Sequence, residues 1–241
     1  MRFVRSLVFV AWLYLGMAFV AIVCGPWAAV SRKGGIAGMK LWGAISIFGL
    51  RWICGVKVRV EGREHIPKGA ALVAMKHQSM FDTLFPGQAL DDPCIVYKAE
   101  LAKAPFLGWY LQRSGMVPVA RETQASALKA MLRAARAEIA KGRQMFIFPE
   151  GTRQWPGAAA DYKPGVAALY RDLGLACTPV ATNSGVHWPP HGIVRTPGVI
   201  VVRFLPAIAP GLSRDDFMRE LETRIESESR ALLPADYTPH A

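Results

Sequence analysis

The sequence predicts a layered α/β domain, in which a mostly parallel sheet is flanked by helices, preceded by an N-terminal membrane-embedded helical segment. Two observations predict it. Beyond residue 50, short apolar runs alternate with segments of helical periodicity, a pattern typical of parallel strands joined by crossover helices. Before residue 50, no charged residue occurs between Ser6 and Ser31, and about 20 apolar residues suffice for a helix to cross a bilayer.

We assign residues 1–52 to a membrane anchor, one long apolar helix plus a shorter one, and residues 53–241 to the α/β domain. The long helix contains the almost wholly apolar Leu7–Cys24, and Gly25-Pro26 is expected to end or kink it. The alternative is a cleaved signal peptide, which also starts with basic residues. The apolar core of a signal peptide is usually shorter than this apolar run, however, and no small-x-small cleavage site follows here. We therefore expect an uncleaved anchor.

The second apolar piece, Leu41–Leu50, lies between Lys40 and Arg51 and is too short to cross a bilayer alone. We expect the two helices to form a pair that dips into one leaflet. Arg32 and Lys33, together with Lys40, would then lie among the lipid headgroups.

The charge balance predicts a polyanionic partner. The chain carries 29 Lys and Arg against 18 Asp and Glu, a net charge of +11. An anionic membrane surface or a phosphorylated substrate satisfies this charge. No nucleic-acid-binding motif is present, so we expect no nucleic-acid partner. The four cysteines lack metal-ligand spacing, and we expect buried free thiols and no metal site.

Apolar runs and alternation predict five strands: Val56–Val60, Ala70–Met75, Met145–Phe148, Cys177–Ala181 and Val199–Leu205. Apolar residues at helical spacing predict helices over Gln124–Lys141, over Gly165–Leu173 and after a cap at Ser213. The Gln124–Lys141 helix is expected to pack through one apolar face: Leu128, Met131, Leu132, Ala135 and Ile139. The last helix would bury Phe217, Leu221 and Ile225. In parallel sheets, binding sites collect where strands end.

The first polar motif, His77-Gln-Ser-Met-Phe-Asp82, follows the strand Ala70–Met75. If a short helix starts near Met80, the chain turns between the two residues and Asp82 can reach back to His77. A carboxylate on one imidazole nitrogen fixes the tautomer while the other nitrogen takes a proton. Such a base can deprotonate a hydroxyl as it attacks a thioester. Ser79 and Asp82 also fit a helix cap with no chemistry implied.

The second polar motif, Phe148-Pro-Glu-Gly-Thr-Arg153, ends another apolar strand. Gly151 permits a tight turn after Glu150, and Arg153 offers a planar fork suited to phosphate. Glu150 can bind a substrate hydroxyl or steady Arg153. The alternative is an ordinary strand-to-loop turn, because Glu, Gly and Thr all occur in turns.

Between and beside the motifs, Lys98 and Arg121 are further candidates for an anionic headgroup, although most lysines and arginines are solvated surface charges. His187 and His191 are expected to be structural or exposed.

Together these blocks resemble the signature of the 1-acyl-sn-glycerol-3-phosphate acyltransferase family. His77, Ser79 and Asp82 match its His-x4-Asp block, and Phe148–Arg153 matches its third block. Lys98–Leu101, Pro105–Trp109 and Gly115–Arg121 look like its second block, and Thr178–Val180 resembles its fourth. The resemblance covers roughly residues 55–205. Two positions depart from it: Lys76 stands where the family often has Asn, and Ala120 where a polar residue is common.

The resemblance implies that the α/β domain is an acyltransferase catalytic domain with His77 as general base and Asp82 as its partner. It implies acceptor binding by Ser79 and by Glu150, Gly151, Thr152 and Arg153, with Lys98 and Arg121 as secondary phosphate contacts. The expected reaction moves a fatty acyl chain to the sn-2 hydroxyl of lysophosphatidate, giving phosphatidate. The donor would be an acyl-CoA or acyl-carrier-protein thioester, a co-substrate, with no other cofactor. The expected location is the inner membrane, with the catalytic domain facing the cytoplasm.

Three alternatives remain open at this point. The same chemistry can serve another lysophospholipid or a lyso-aminolipid. Ser79 can act as a nucleophile in a hydrolase or an acyl-enzyme transferase. A non-catalytic membrane protein that binds anionic lipid would explain the charge and the anchor, but not the ordered motifs.

Overall fold

The computed structural model describes residues 1–104, 106–120 and 125–238, and within them a single seven-stranded sheet. Its strands are β1 Val56–Glu61, β2 Ala71–Met75, β3 Pro93–Lys98, β4 Val117–Val119, β5 Gln144–Ile147, β6 Cys177–Thr182 and β7 Gly198–Phe204. Their order is β1-β7-β6-β2-β5-β3-β4. All neighbours are parallel except β6 and β7, which confirms the mostly parallel sheet.

Helices cover both faces of the sheet. They are α1 Arg2–Val30, α2 Arg32–Cys54, α3 Phe81–Leu84, α4 Pro86–Ala89, α5 Leu107–Arg113, α6 Ala125–Ile139, α7 Gly165–Leu173, α8 Ser184–His187 and α9 Arg214–Ala231. Along β2, Val73 and Met75 pack on the face covered by α1 to α5. Leu72 and Ala74 pack on the opposite face, against α6, α7 and α9. Because both faces of β2 are buried, its sequence is a continuous apolar run.

The predicted strands and helices are confirmed to within a residue or two at most ends. Ser213 caps α9 by accepting a hydrogen bond from the Asp216 N–H at 3.1 Å. Phe217, Leu221 and Ile225 are fully buried, as predicted. On α6, Met131 and Ala135 are buried but Leu128 is 38% exposed, so the predicted apolar face is only partly covered.

Two strands, β3 and β4, have no counterpart in the sequence prediction. β3 begins at Pro93, and β4 contains Pro118 in a strand of three residues. A proline argues against the interior of a central strand. It is compatible with the first residue of a strand, as in β3, and with the sheet edge that β4 occupies.

The N-terminal helices are longer than predicted. α1 continues through Pro26 to Val30, so of the two expectations for Gly25-Pro26, an end or a kink, the end is wrong. α2 spans 23 residues and includes several glycines, which have low helix propensity. Those glycines allow close packing: a Cβ at Gly35 would lie 3.1 Å from the Ser114 nitrogen. Tertiary contact thus extends the helix beyond its apolar run. By length and composition, both helices could cross a membrane, so the expectation that the second is too short to do so alone is wrong.

The two N-terminal helices are attached to the α/β domain at both ends of the pair. At the turn between them, Arg32 Nη1 lies 2.8 Å from Asp92 Oδ1. At the other end, the Arg195 N–H donates to Ser6 Oγ at 2.8 Å. The pair therefore lies along the domain instead of projecting from it. Its outer side carries exposed apolar side chains, among them Leu7, Val8, Tyr14, Leu15, Phe19, Ile22, Val23, Trp27, Phe48 and Trp52.

All four cysteines are free and buried. Burial raises the pKa of the Cys94 thiol to about 12, which keeps it protonated at neutral pH.

Candidate active site

Three neighbouring strands bring the polar motifs together. β2, β5 and β3 are adjacent and parallel, so their carboxyl ends meet at one edge of the sheet. His77 follows β2, Glu150 follows β5, and Lys98 is the last residue of β3.

The His77 imidazole and the Asp82 carboxylate are in contact. His77 Nδ1 lies 3.2 Å from Asp82 Oδ2. The same oxygen accepts the backbone N–H groups of Gln78 at 2.7 Å and Ser79 at 2.8 Å, and Asp82 is fully buried. Phe148 stacks on the imidazole with the ring centres 4.0 Å apart. Nδ1 is thereby engaged and the ring is fixed, which leaves Nε2 for a substrate.

The turn that makes this contact possible is held by the Ser79 side chain. Ser79 Oγ accepts the Phe81 N–H at 3.1 Å at the start of α3, whose N-cap residue is Met80 and has no side-chain cap. Ser79 therefore stabilises the turn between His77 and Asp82, and the predicted Ser79 helix cap does not form. Ser79 is fully buried and is absent from the residues that line the cavity described below. The structure does not bring it to the position expected of a substrate contact.

Glu150 is buried, and both of its oxygens have protein donors. Oε2 accepts the His77 backbone N–H at 2.9 Å, and Oε1 accepts Lys76 Nζ at 2.7 Å. Burial raises the pKa of the Glu150 carboxyl, and the Lys76 ammonium opposes that shift. Glu150 therefore braces the His77 backbone; no hydrogen bond or ion pair joins it to Arg153 among the described residues.

The turn after Glu150 has the predicted form. Gly151 has φ of +63°, in the left-handed region that favours glycine, and its N–H donates to the Phe148 carbonyl at 3.0 Å. Thr152 and Arg153 follow and are exposed. Within the described part of the chain, no hydrogen bond or ion pair engages Arg153, so its guanidinium can meet a ligand.

A cavity of about 1350 Å³ opens at this edge of the sheet. Its polar end is lined by His77, Glu150 and the cations Lys98, Arg153 and Lys163. The rest is mainly apolar and reaches the N-terminal helices, with lining side chains that include Met17, Val20, Met39, Trp42, Leu107 and Leu128. One cavity thus joins an imidazole, charged side chains of both signs and a long apolar surface.

The remaining predicted residues are distributed as follows. Gly151, Thr152 and Lys98 line the cavity, whereas Arg121 lies outside the described residues. His187 is buried, with Nδ1 3.1 Å from the Thr196 carbonyl oxygen, and His191 is exposed. No group of three or more His, Cys, Asp or Glu suited to a metal occurs in the part of the chain that the structure describes.

Sequence reasoning missed Lys163, Tyr162 and Glu226. Lys163 donates its backbone N–H to the Pro149 carbonyl at 2.8 Å and so lies beside the second motif. Glu226 reaches Lys76 from α9. None of the three residues lies within a motif, and no local pattern marks them. From the sequence, Lys76 is only a departure from the family pattern.

Comparisons with known proteins show what the chain is similar to. The Acyltransferase family profile matches residues 57–183. A 1-acyl-sn-glycerol-3-phosphate acyltransferase from Pseudomonas aeruginosa is 32% identical over 186 residues, covering 77% of this chain and 72% of that protein. The alpha form from Mus musculus is 28% identical over 203 residues, covering 82% and 70%.

Among solved structures, the LPA acyltransferase PlsC from Thermotoga maritima superposes with a TM-score of 0.77, covering 96% of this chain and 99% of its own. At 23% identity, that likeness shows a shared fold. A carboxylate-paired base beside an apolar cavity is suited to moving lipid chains, and the relatives agree: the protein is an acyltransferase. Within that class, the chain belongs to the 1-acyl-sn-glycerol-3-phosphate acyltransferase family.

Proposed function

We propose that the protein transfers a fatty acyl chain from an acyl thioester to the sn-2 hydroxyl of lysophosphatidate, producing phosphatidate for phospholipid biosynthesis. The observation that carries the proposal is the His77–Asp82 pair at the polar end of a cavity that also carries Lys98, Arg153 and Lys163. The relatives named above are 1-acyl-sn-glycerol-3-phosphate acyltransferases.

The reaction is a direct transfer. His77 Nε2 takes the proton of the acceptor hydroxyl as its oxygen attacks the thioester carbonyl carbon. The new ester C–O bond forms, the C–S bond breaks, and the imidazolium returns the proton to the departing thiolate. Asp82 holds the tautomer and stabilises the imidazolium. A thioester is already an activated acyl donor, so the protein needs no nucleophile of its own.

The acceptor phosphate lies at the polar end of the cavity. Arg153 is the main contact, because a guanidinium binds phosphate with two parallel hydrogen bonds. Thr152 and the Gly151 turn shape this end, and Lys98 and Arg121 add secondary charge. Glu150 contributes to acceptor binding indirectly, because its carboxylate holds the backbone of His77.

The donor is an acyl-CoA or acyl-carrier-protein thioester, and its chain occupies the apolar part of the cavity. Burial of each methylene contributes about 0.8 kcal/mol, which lets a long chain supply much of the binding free energy.

The protein works at a membrane surface. The N-terminal helices lie along the domain and expose an apolar outer side, so we place them within one leaflet instead of across the bilayer. The excess of basic residues favours the cytoplasmic side of the inner membrane, which carries anionic lipid.

An acceptor panel tests the proposal. Purified full-length protein is assayed with acyl-CoA and with acyl-carrier protein against lysophosphatidate, other lysophospholipids and a lyso-aminolipid. We expect phosphatidate as the main product. A higher kcat/KM for another lyso-acceptor would reassign the substrate, and a labelled acyl group trapped on the protein would replace direct transfer with an acyl-enzyme. Lipid binding without turnover on any acceptor would overturn the catalytic proposal.

A further inference from the structure

A buried charge cluster lies directly behind the two motifs. Lys76 Nζ contacts Glu150 Oε1 at 2.7 Å and Glu226 Oε1 at 2.6 Å, and Tyr162 OH donates to the same Glu226 oxygen at 3.0 Å. The Lys76 side chain is 1% exposed, and those of Glu150 and Glu226 are 0% and 9% exposed. An ammonium and two carboxylates so deeply buried are costly to desolvate, and they persist only with well-placed partners.

The cluster connects distant parts of the chain to the catalytic base. Lys76 is adjacent to His77, and Glu150 accepts the His77 N–H at 2.9 Å. Glu226 comes from α9, beyond the residues 57–183 that the family profile matches. A chain of contacts therefore runs from α9 through Lys76 and Glu150 to the backbone of His77.

Packing and hydrogen bonds fix helix α9 in the region that contains Glu226. Ile225 is fully buried against α7 and the sheet. The Thr182 N–H donates to Ser229 Oγ at 3.4 Å, and Asn183 Nδ2 donates to the Leu232 carbonyl at 3.2 Å. These contacts tie α9 to the end of β6. Glu226 is thus held in place by helix packing and can orient Lys76.

We propose that Lys76 and Glu226 are positioning residues of the acyltransferase site, which hold Glu150 and, through it, the His77 backbone in the geometry that catalysis requires. The inference rests on the proposed function, since its readout is acyl transfer. The Lys76 ammonium pairs with both carboxylates, so that Glu150 and Glu226 can share one buried site. Without Lys76, Glu150 and Glu226 would face each other without a cation.

This arrangement predicts an unusual rescue. Lys76→Met removes the cation and leaves two opposed carboxylates, so we expect kcat to fall at least about tenfold with little change in the KM for the acceptor. The double variant Lys76→Met with Glu226→Gln removes the repulsion as well. It should recover at least about threefold in kcat over K76M alone.

The pH profile supplies a readout that a merely structural role would not move. The charged and titratable groups around Glu150 are Lys76 from the end of β2, His77, Glu226 from α9 and Tyr162 from the loop before α7, with Glu222 acting on Tyr162. Lys76 lowers the pKa of Glu150 and Glu226 raises it. In K76M the acid limb of the kcat profile should therefore move to higher pH, and in the double variant it should move back.

The experiment uses the full chain and the acceptor that the wild-type protein prefers, with every variant compared with wild type. A wild-type protein without acyl transfer would refute the proposed function, whereas an active wild type with unchanged variants would refute only this inference. Glu228→Gln is the matched control, because it removes an α9 carboxylate that pairs with Arg203 near the surface; its kcat should equal that of wild type. Losses in K76M and E226Q that simply multiply in the double variant would overturn the proposal.

If K76M does not fold, E226Q alone keeps the proposal testable, since glutamine preserves the size of the side chain. It should lower kcat about threefold with a thermal midpoint close to that of E228Q. A kcat equal to that of the E228Q control would overturn the role of Glu226.

Discussion

The two motifs are built in different ways. His77 and Asp82 are five residues apart and meet through one turn held by Ser79, so that contact is local in the chain. Glu150 is held by Lys76, 74 residues away, which in turn is held by Glu226. The first motif carries its geometry in its own sequence, whereas the second depends on elements brought together by the fold.

The largest expected effect tests the local motif. His77→Ala removes the proposed general base, and kcat should fall at least about 1000-fold, the scale of general base catalysis. Membrane association should persist, because the N-terminal helices are unchanged. Asp82→Asn keeps the size of the side chain but removes the negative charge beside the imidazole. It should lower kcat about 100-fold. Turnover at the wild-type rate in folded H77A would contradict the assignment of the base.

The next effect tests the exposed end of the second motif. Arg153→Ala removes a charge-assisted contact, so the KM for lysophosphatidate should rise about 10- to 100-fold with a smaller change in kcat. Steady-state kinetics in mixed micelles measures both constants. A lyso-acceptor without the terminal phosphate charge serves as the control, and an equal loss with that acceptor would argue against phosphate binding.

A smaller effect tests the turn between Glu150 and Arg153. Gly151→Ala places a Cβ at a φ of +63°, which costs about 1–2 kcal/mol in backbone strain. The nearest atom outside its chain neighbours, Lys163 Cγ, would lie 3.8 Å from that Cβ, so steric overlap adds nothing. We expect the free energy of unfolding to drop by that strain and acyl transfer to fall severalfold. Gly165→Ala, where φ is negative and space is open, is the matched comparison.

The smallest effect separates a turn-stabilising role of Ser79 from a nucleophilic one. Ser79→Ala removes the oxygen that accepts the Phe81 N–H, at a cost of about 1 kcal/mol in stability. Most of the turnover should remain, because the Ser79 hydroxyl is buried within the turn. Complete loss of transfer in a stably folded S79A protein would favour the acyl-enzyme alternative.

The same contrast explains what the sequence could predict. Periodicity identified the central strands and α6, α7 and α9, because their apolar patterns are local. It missed β3 and β4, whose prolines are tolerated at a strand start and at a sheet edge. It shortened α2, whose glycine-rich first half is held by contact with α5 and its neighbours.

The candidate site divides along the same line. His77, Asp82, Gly151 and Arg153 follow from short motifs, and their geometry agrees with the turns predicted for them. Lys76 and Glu226 could not be paired from sequence, since no local signal links residues 150 positions apart. Ser79 shows the opposite case: a residue can match a motif and still lie beneath the site instead of in it.

The cavity wall formed by Met17, Val20, Met39 and Trp42 of the N-terminal helices has a kinetic consequence. With those helices placed in one leaflet, as proposed above, a lysolipid would reach His77 from that leaflet without its chain passing through water. The concentration that governs turnover is then a surface density, the mole fraction of acceptor in the bilayer. Diluting the acceptor with inert lipid at constant bulk concentration should slow the enzyme, whereas adding buffer should leave its rate per vesicle unchanged.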